Sequence, residues 1–155
     1  MNSSKIAFNL RKRIGRFSGN VSEGLCLRAQ CFVGEMIYGI QASQSVLLSN
    51  VGRALEEEIA MVKTVERLSR NLQRSELEDT VQNNVLAMAA RHIGQDTLLI
   101  IDPSDITKKY ARKMEYLSTV RDGSAHDLAD GYWTMHIVGT ELESNKIVPL
   151  YQRLW

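Results

Sequence analysis

Proline stands at only two of 155 positions, Pro103 and Pro149. Because proline breaks helix interiors and central strands alike, its confinement to the last third marks a change of architecture, placed near Gln95. Before that point apolar residues recur at helical spacing. Leu25, Leu27, Cys31, Phe32, Met36 and Ile40 predict a helix over 24–39, weakened by Gly34 and Gly39. Val46, Leu47, Val51, Ala54 and Leu55 continue the period over 43–55, where Gly52 either interrupts the helix or lets a neighbour pack closely. The clearest helix is 56–77. There Ile59, Val62, Val65, Leu68 and Leu72 form one stripe, and Glu57, Lys63, Glu66, Arg67, Arg70 and Arg74 lie largely off it. Its leading glutamates and trailing arginines complement the helix macrodipole, so these charges need no ligand to explain them. A further helix is expected from about 75 to 91, turning Val81, Val85, Met88 and Ala89 inward and closing at Gly94.

After Gln95 the period changes. The segment 96–110 (DTLLIIDPSDITKKY) carries four consecutive aliphatics, the composition of a strand buried on both faces. Pro103 is expected to stop its ladder and leave Asp102 at the strand's end, half in low dielectric and half open, where a carboxylate can hold a divalent metal. Residues 131–140 (GYWTMHIVGT) set Trp133, Met135 and Ile137 against Tyr132, Thr134, His136 and Val138, the period of a strand with two unlike faces. Residues 145–153 read as another strand, and 141–146 have the length of a hairpin loop. The fold class is therefore α+β. An all-α N-terminal domain, 1–94, precedes the first strands of a sheet, 95–155, which no helix follows to cover.

With 44% hydrophobic residues the chain can bury one ordinary core, or a small helical unit plus part of a second domain. The net charge of +1 does not itself argue for nucleic acid. Lys5, Arg11, Lys12, Arg13 and Arg16 nevertheless form a basic arm with no acid among them, open to two readings: a solvated, fraying terminus or a phosphate-contacting arm. Cys26 and Cys31 lack the spacing and histidine partners of a zinc site and read as reduced thiols. His92, His126 and His136 are scattered. No leader or apolar run approaching ~20 residues is present, so a soluble, cytoplasmic protein with no membrane partner is expected. Ser104 lacks the nucleophile elbow of a serine hydrolase. A phosphatase of the haloacid dehalogenase type also opens on an apolar strand and an Asp. Its second aspartate follows two residues on, whereas Asp102 and Asp105 are three apart with a proline between.

LLIIDPSDITKKYARKMEYLSTVRDGS (98–124), followed by GYWTMHIVGTELESNKIVPLYQRLW (131–155), resembles the opening of the catalytic domain of DDE transposases of bacterial insertion sequences, whose fold is RNase H-like. KTVERLSRNL (63–72) is similar to the helical segment that precedes that domain. The resemblance implies metal-dependent phosphoryl transfer on DNA at transposon ends, using two Mg²⁺ or Mn²⁺ ions about 4 Å apart held by three carboxylates. Asp102 matches the first carboxylate. The second Asp and the Glu belong to sequence beyond the third strand, so the chain reads as the N-terminal portion or a truncated copy. A lone carboxylate holds Mg²⁺ weakly, and no strand transfer is expected from this chain alone. The non-enzymatic alternative is a DNA-binding or dimerising remnant that regulates or inhibits full-length transposase.

Within that resemblance Lys108, Lys109, Arg112 and Lys113, interleaved with Tyr110 and Tyr116, read as phosphate contacts beside Asp102. The competing reading is the solvated face of a helix whose buried stripe is Ile106, Tyr110, Met114 and Leu117. Lys63, Arg67, Arg70 and Arg74 are likewise candidate DNA contacts, against plain surface charge. A helix-turn-helix over 43–72 would place three glutamates in its turn, where they repel phosphate. Asp105, Asp122, Asp127 and Asp130 suit turns and caps better than ligation. The final strand presents an edge softened by Pro149, so pairing with another copy is expected.

Overall fold

A computed structural model describes residues 3–108, 113–123, 127–141 and 146–155, with side chains from Phe8 onward. The chain divides into two compact units, Met1–Asn84 and Val85–Trp155, so the division falls inside a helix somewhat before Gln95.

The first unit is helical: α1 (Ser3–Val21), α2 (Leu27–Ser43), α3 (Leu48–Ala54), α4 (Met61–Leu72) and most of α5 (Ser75–Ala89). The basic arm is thus the body of α1. From Phe8 to Phe17 its side chains are exposed apart from half-buried Ile14, and burial begins at Ser18 and Val21. Val21, Leu25, Ala29, Phe32, Val33, Val51 and Leu68 form the core. Two glycines decide how closely its helices approach. A Cβ on Gly39 would stand 2.6 Å from Val51 Cγ1, and one on Gly52 would stand 3.0 Å from Met61 Cε and 3.3 Å from Thr64 Cγ2. Gly52 therefore serves close packing of α3 on α4. Each glycine costs a helix about 1 kcal/mol relative to alanine, and the close approach offsets that loss with dispersion contacts.

The expected 56–77 helix starts later, at Met61, because Glu56 adopts a left-handed φ of 49° and 55–60 form a turn. Its buried face also differs. Thr64, Leu68 and Asn71 are buried, while Val62 is 68% exposed and Ile59 and Leu72 lie in solvent. Both buried polar residues are locally satisfied: Thr64 Oγ1 donates to Glu57 Oε2 at 2.7 Å and Asn71 Nδ2 to the Arg67 carbonyl at 2.9 Å. A hydrogen-bonded Thr or Asn can occupy a core position that apolar periodicity assigns to valine.

The second unit holds the end of α5, a 3-10 turn (Ala90–His92) and four strands: β1 (Leu98–Thr107), β2 (Ser118–Asp122), β3 (Asp127–Thr140) and β4 (Ile147–Leu154). Every other strand pairs antiparallel with β3, and over Thr134–Thr140 β3 is flanked by β1 and β4. Sequence pattern located β1, β3 and β4 but missed β2; of the expected 141–146 loop, 142–145 lie outside the described residues. The helical stripe through Ile106, Met114 and Leu117 does not form: Ile106 lies in β1, 114–117 form a turn, and Tyr110 is outside the described residues.

Val120, Tyr132 and Thr134 are buried, and the Tyr132 hydroxyl donates to the Glu115 carbonyl at 2.7 Å. Trp133, on the opposite face, is exposed. So are Leu98, Leu99, Ile100 and Ile101, on both faces of β1. Their composition suits a strand covered on two sides, yet among the described residues β1 is an edge with neither face sealed. The architecture is α+β, with a helical N-terminal part and an open sheet.

Candidate functional site

Pro103 does not end β1. The Trp133 amide and carbonyl are both bonded to Trp155 at 2.9 Å, so Trp133 faces β4 and, by alternation, Met135 does too. Pro103 pairs with Met135, and its ring nitrogen consequently turns to the open side of β1, where no ladder hydrogen bond is lost. The strand runs through it to Thr107.

Asp102 therefore lies at the centre of β1 rather than at its end, with its side chain exposed. His136 of β3 stands directly opposite, and Gln152 of β4 stands opposite His136. Directly paired residues share a sheet face with Cβ atoms about 5 Å apart, so carboxylate, imidazole and amide form one row. Sequence reasoning set His136 aside as scattered. Only the pairing register, which single-strand alternation does not fix, reveals it as the neighbour of Asp102.

The other acids stand off this row. Asp105 lies three residues on, hence on the other face, opposite Trp133. Asp122 is buried and pairs in register with Asp127, whose Oδ1 accepts the Leu128 amide at 2.8 Å. Asp130 is exposed near the start of β3, and its carbonyl accepts the Lys108 amide at 2.7 Å. No group of three or more His, Cys, Asp or Glu side chains gathers among the described residues. Magnesium wants near-octahedral oxygen ligation, and manganese prefers the same donors. One carboxylate beside an imidazole and an amide does not fit either ion as a fixed site.

The candidate DNA-contacting cations separate into two kinds. Lys63 and Arg70 are exposed, lie seven apart on one face of α4, and have no ion-pair partner among the described residues. Arg67 instead turns toward the protein, donating from Nη1 to Glu35 at 2.5 Å and from Nη2 to Glu57 at 2.7 Å. Those hydrogen bonds, the one to Glu35 foremost, raise its already high pKa. Arg74 is half-buried, donating from Nε to Asn71 at 3.0 Å and pairing with Glu76 at 3.2 Å. Lys108 follows β1 half-buried and Lys113 is exposed; Lys109, Arg112 and His126 lie outside the described residues.

Helix α3, the 55–60 turn and α4 follow one another in the chain, and of the three glutamates in the turn Glu57 pairs with Arg67 at 2.7 Å. Cys26 and Cys31 are free and exposed. No helix among the described residues is long and apolar enough to cross a membrane. No protein-family model matches the chain, and no curated protein matches it.

Proposed function

We propose that the chain acts on DNA as the helical N-terminal part and the opening of the catalytic domain of a DDE-type transposase. Asp102 is the first of three metal-holding carboxylates, and DNA at transposon ends is the partner. The observation that carries this reading is the position of Asp102. The residue that the sequence resemblance singles out stands in solvent at the centre of an edge strand whose aliphatic neighbours are exposed on both faces. Asp102 makes no hydrogen bond or ion pair among the described residues, so its carboxylate is free to take a cation. The exposed cations Lys63, Arg70 and Lys113, with the basic stretch of α1, suit a polyanionic partner.

A non-catalytic reading has its own support. His136 stands beside Asp102 and Gln152 lies beyond it, neither of them a carboxylate, which suits a chain that binds transposon DNA or full-length transposase and regulates transposition without cleaving. One experiment separates the two: purified protein is incubated with supercoiled DNA carrying the element's inverted repeats, with Mg²⁺ or Mn²⁺, at two salt concentrations. Salt-sensitive gel-shift without nicking is expected. Metal-dependent nicking abolished by Asp102→Asn would show that this chain is itself an active enzyme, and no shift at either salt would remove DNA as the partner.

A further inference from the structure

Helix α1 is fastened at one end and bare along the rest. Ser18 and Val21 are buried where α2 packs at Gly34, on which a Cβ would stand 3.5 Å from Ser18 Oγ. Asn84 Nδ2 of α5 donates to the Val21 carbonyl at 3.1 Å and to the Glu23 carbonyl at 2.9 Å. Ahead of that anchor residues 8–17 are exposed apart from half-buried Ile14, and a Cβ on Gly15 or Gly19 would meet nothing within 4 Å. At about 3.6 residues per turn, Asn9, Lys12, Arg13, Arg16 and Asn20 fall within one arc of about 100°, on the side away from Ile14, Ser18 and Val21. All five are exposed. The three cations make no hydrogen bond or ion pair among the described residues, and the first acid of the chain is Glu23, beyond the helix. Helix α4 lacks this property, because exposed Glu66 stands between Lys63 and Arg70 on the same face.

Fixed positive charge and amide donors with no acid among them select a polyanion, and a helix about 10–12 Å across fits a DNA major groove about 12 Å wide. We infer that α1 is the helix that enters the major groove of DNA. The inference rests on the DNA reading above and names the element that does the reading. Asn9 and Arg16 lie at the middle of the arc and face the groove floor, where a guanidinium pairs with guanine O6 and N7 and an amide with adenine N6 and N7. Lys12 and Arg13 lie at the two edges of the arc and meet the phosphates of the groove walls.

The full chain is titrated into a fluorescent duplex carrying the element's inverted repeat, and into a scrambled duplex of equal length, across a salt series. Lys12→Gln/Arg13→Gln should weaken both duplexes alike and lower the slope of log affinity on log salt by about 1.8, two phosphates at about 0.9 each. Arg16→Gln should weaken the inverted repeat about tenfold more than the scrambled duplex. Replacing guanine by 7-deazaguanine, which removes N7 from the major groove, should weaken the unsubstituted chain and leave Arg16→Gln unaffected. These side chains are exposed, and unchanged circular dichroism serves as the folding control. DNA binding that none of the α1 substitutions alters overturns the inference and leaves the DNA reading standing. Absence of any DNA binding overturns both. Equal losses on the two duplexes in Arg16→Gln would make α1 a phosphate contact only and overturn its place in the groove. Leu10 and Phe17 are exposed beside the arc, so vesicles of phosphatidylserine and phosphatidylcholine are titrated in parallel. Vesicle binding that Lys12→Gln/Arg13→Gln abolishes, with DNA affinity unaltered, would make α1 a lipid-contacting helix and overturn the inference.

Discussion

Arg67 shows how a residue that looks like a ligand contact in sequence becomes an internal tie. Its guanidinium joins Glu35 of α2 to Glu57 of the turn before α4, and the three side chains are about 30% exposed. Removing it leaves two carboxylates facing one another. Arg67→Ala should therefore destabilise the first unit by about 1–2 kcal/mol in urea denaturation, more than an isolated surface pair and less than a fully buried one. Glu57 has a carboxyl pKa below the usual range, first because the Thr64 hydroxyl donates to it and then because Arg67 does, against the opposing effect of burial. A group depressed on folding stabilises the protein above its unfolded pKa, about 4.3, and loses that contribution as pH falls through the folded value. Acid denaturation of Glu57→Gln should accordingly show a shallower loss of stability below that point than the unsubstituted chain, and equal slopes would refute the linkage. Neither Thr64 nor Asn71 was legible as core, because burial there depends on hydrogen bonds to Glu57 and Arg67 that no periodicity encodes.

At the level of elements, strand alternation located β1, β3 and β4, but it could not say which residues would be neighbours. β2 escaped because five residues containing Arg121 and Asp122 make too short a signal. Helix α1 escaped because five basic residues read equally as a disordered arm. The prolines carry the information that was misread. Pro103 lies within β1 and Pro149 within β4, the strands on either side of β3, and Pro149 pairs with Val138 beside a bulge. A proline whose nitrogen faces outward withholds a donor from the open edge and resists pairing with another chain. Pro103→Thr should restore that donor in the middle of an exposed aliphatic edge. The variant is expected to show concentration-dependent association in sedimentation velocity at protein concentrations where the unsubstituted chain shows less. Identical profiles would mean that the prolines do not guard these edges.

For the molecule as a whole, the proline asymmetry foretold two architectures, and the chain does divide into a helical unit and an open sheet. Each unit has its own core, Leu68 and Val51 in one, Val120 and Tyr132 in the other. The placement of tryptophan makes their independence measurable. Both tryptophans, Trp133 and Trp155, belong to the second unit, whereas most of the helix belongs to the first, so fluorescence and far-UV circular dichroism report largely separate bodies. Leu68 is fully buried, and Leu68→Ala opens a cavity that typically costs about 2–5 kcal/mol. If the two units unfold independently, this substitution should lower the thermal midpoint seen by circular dichroism and leave the fluorescence midpoint in place. A joint downward shift of both midpoints would show one cooperative body, in which an unsealed sheet draws its stability from the helices.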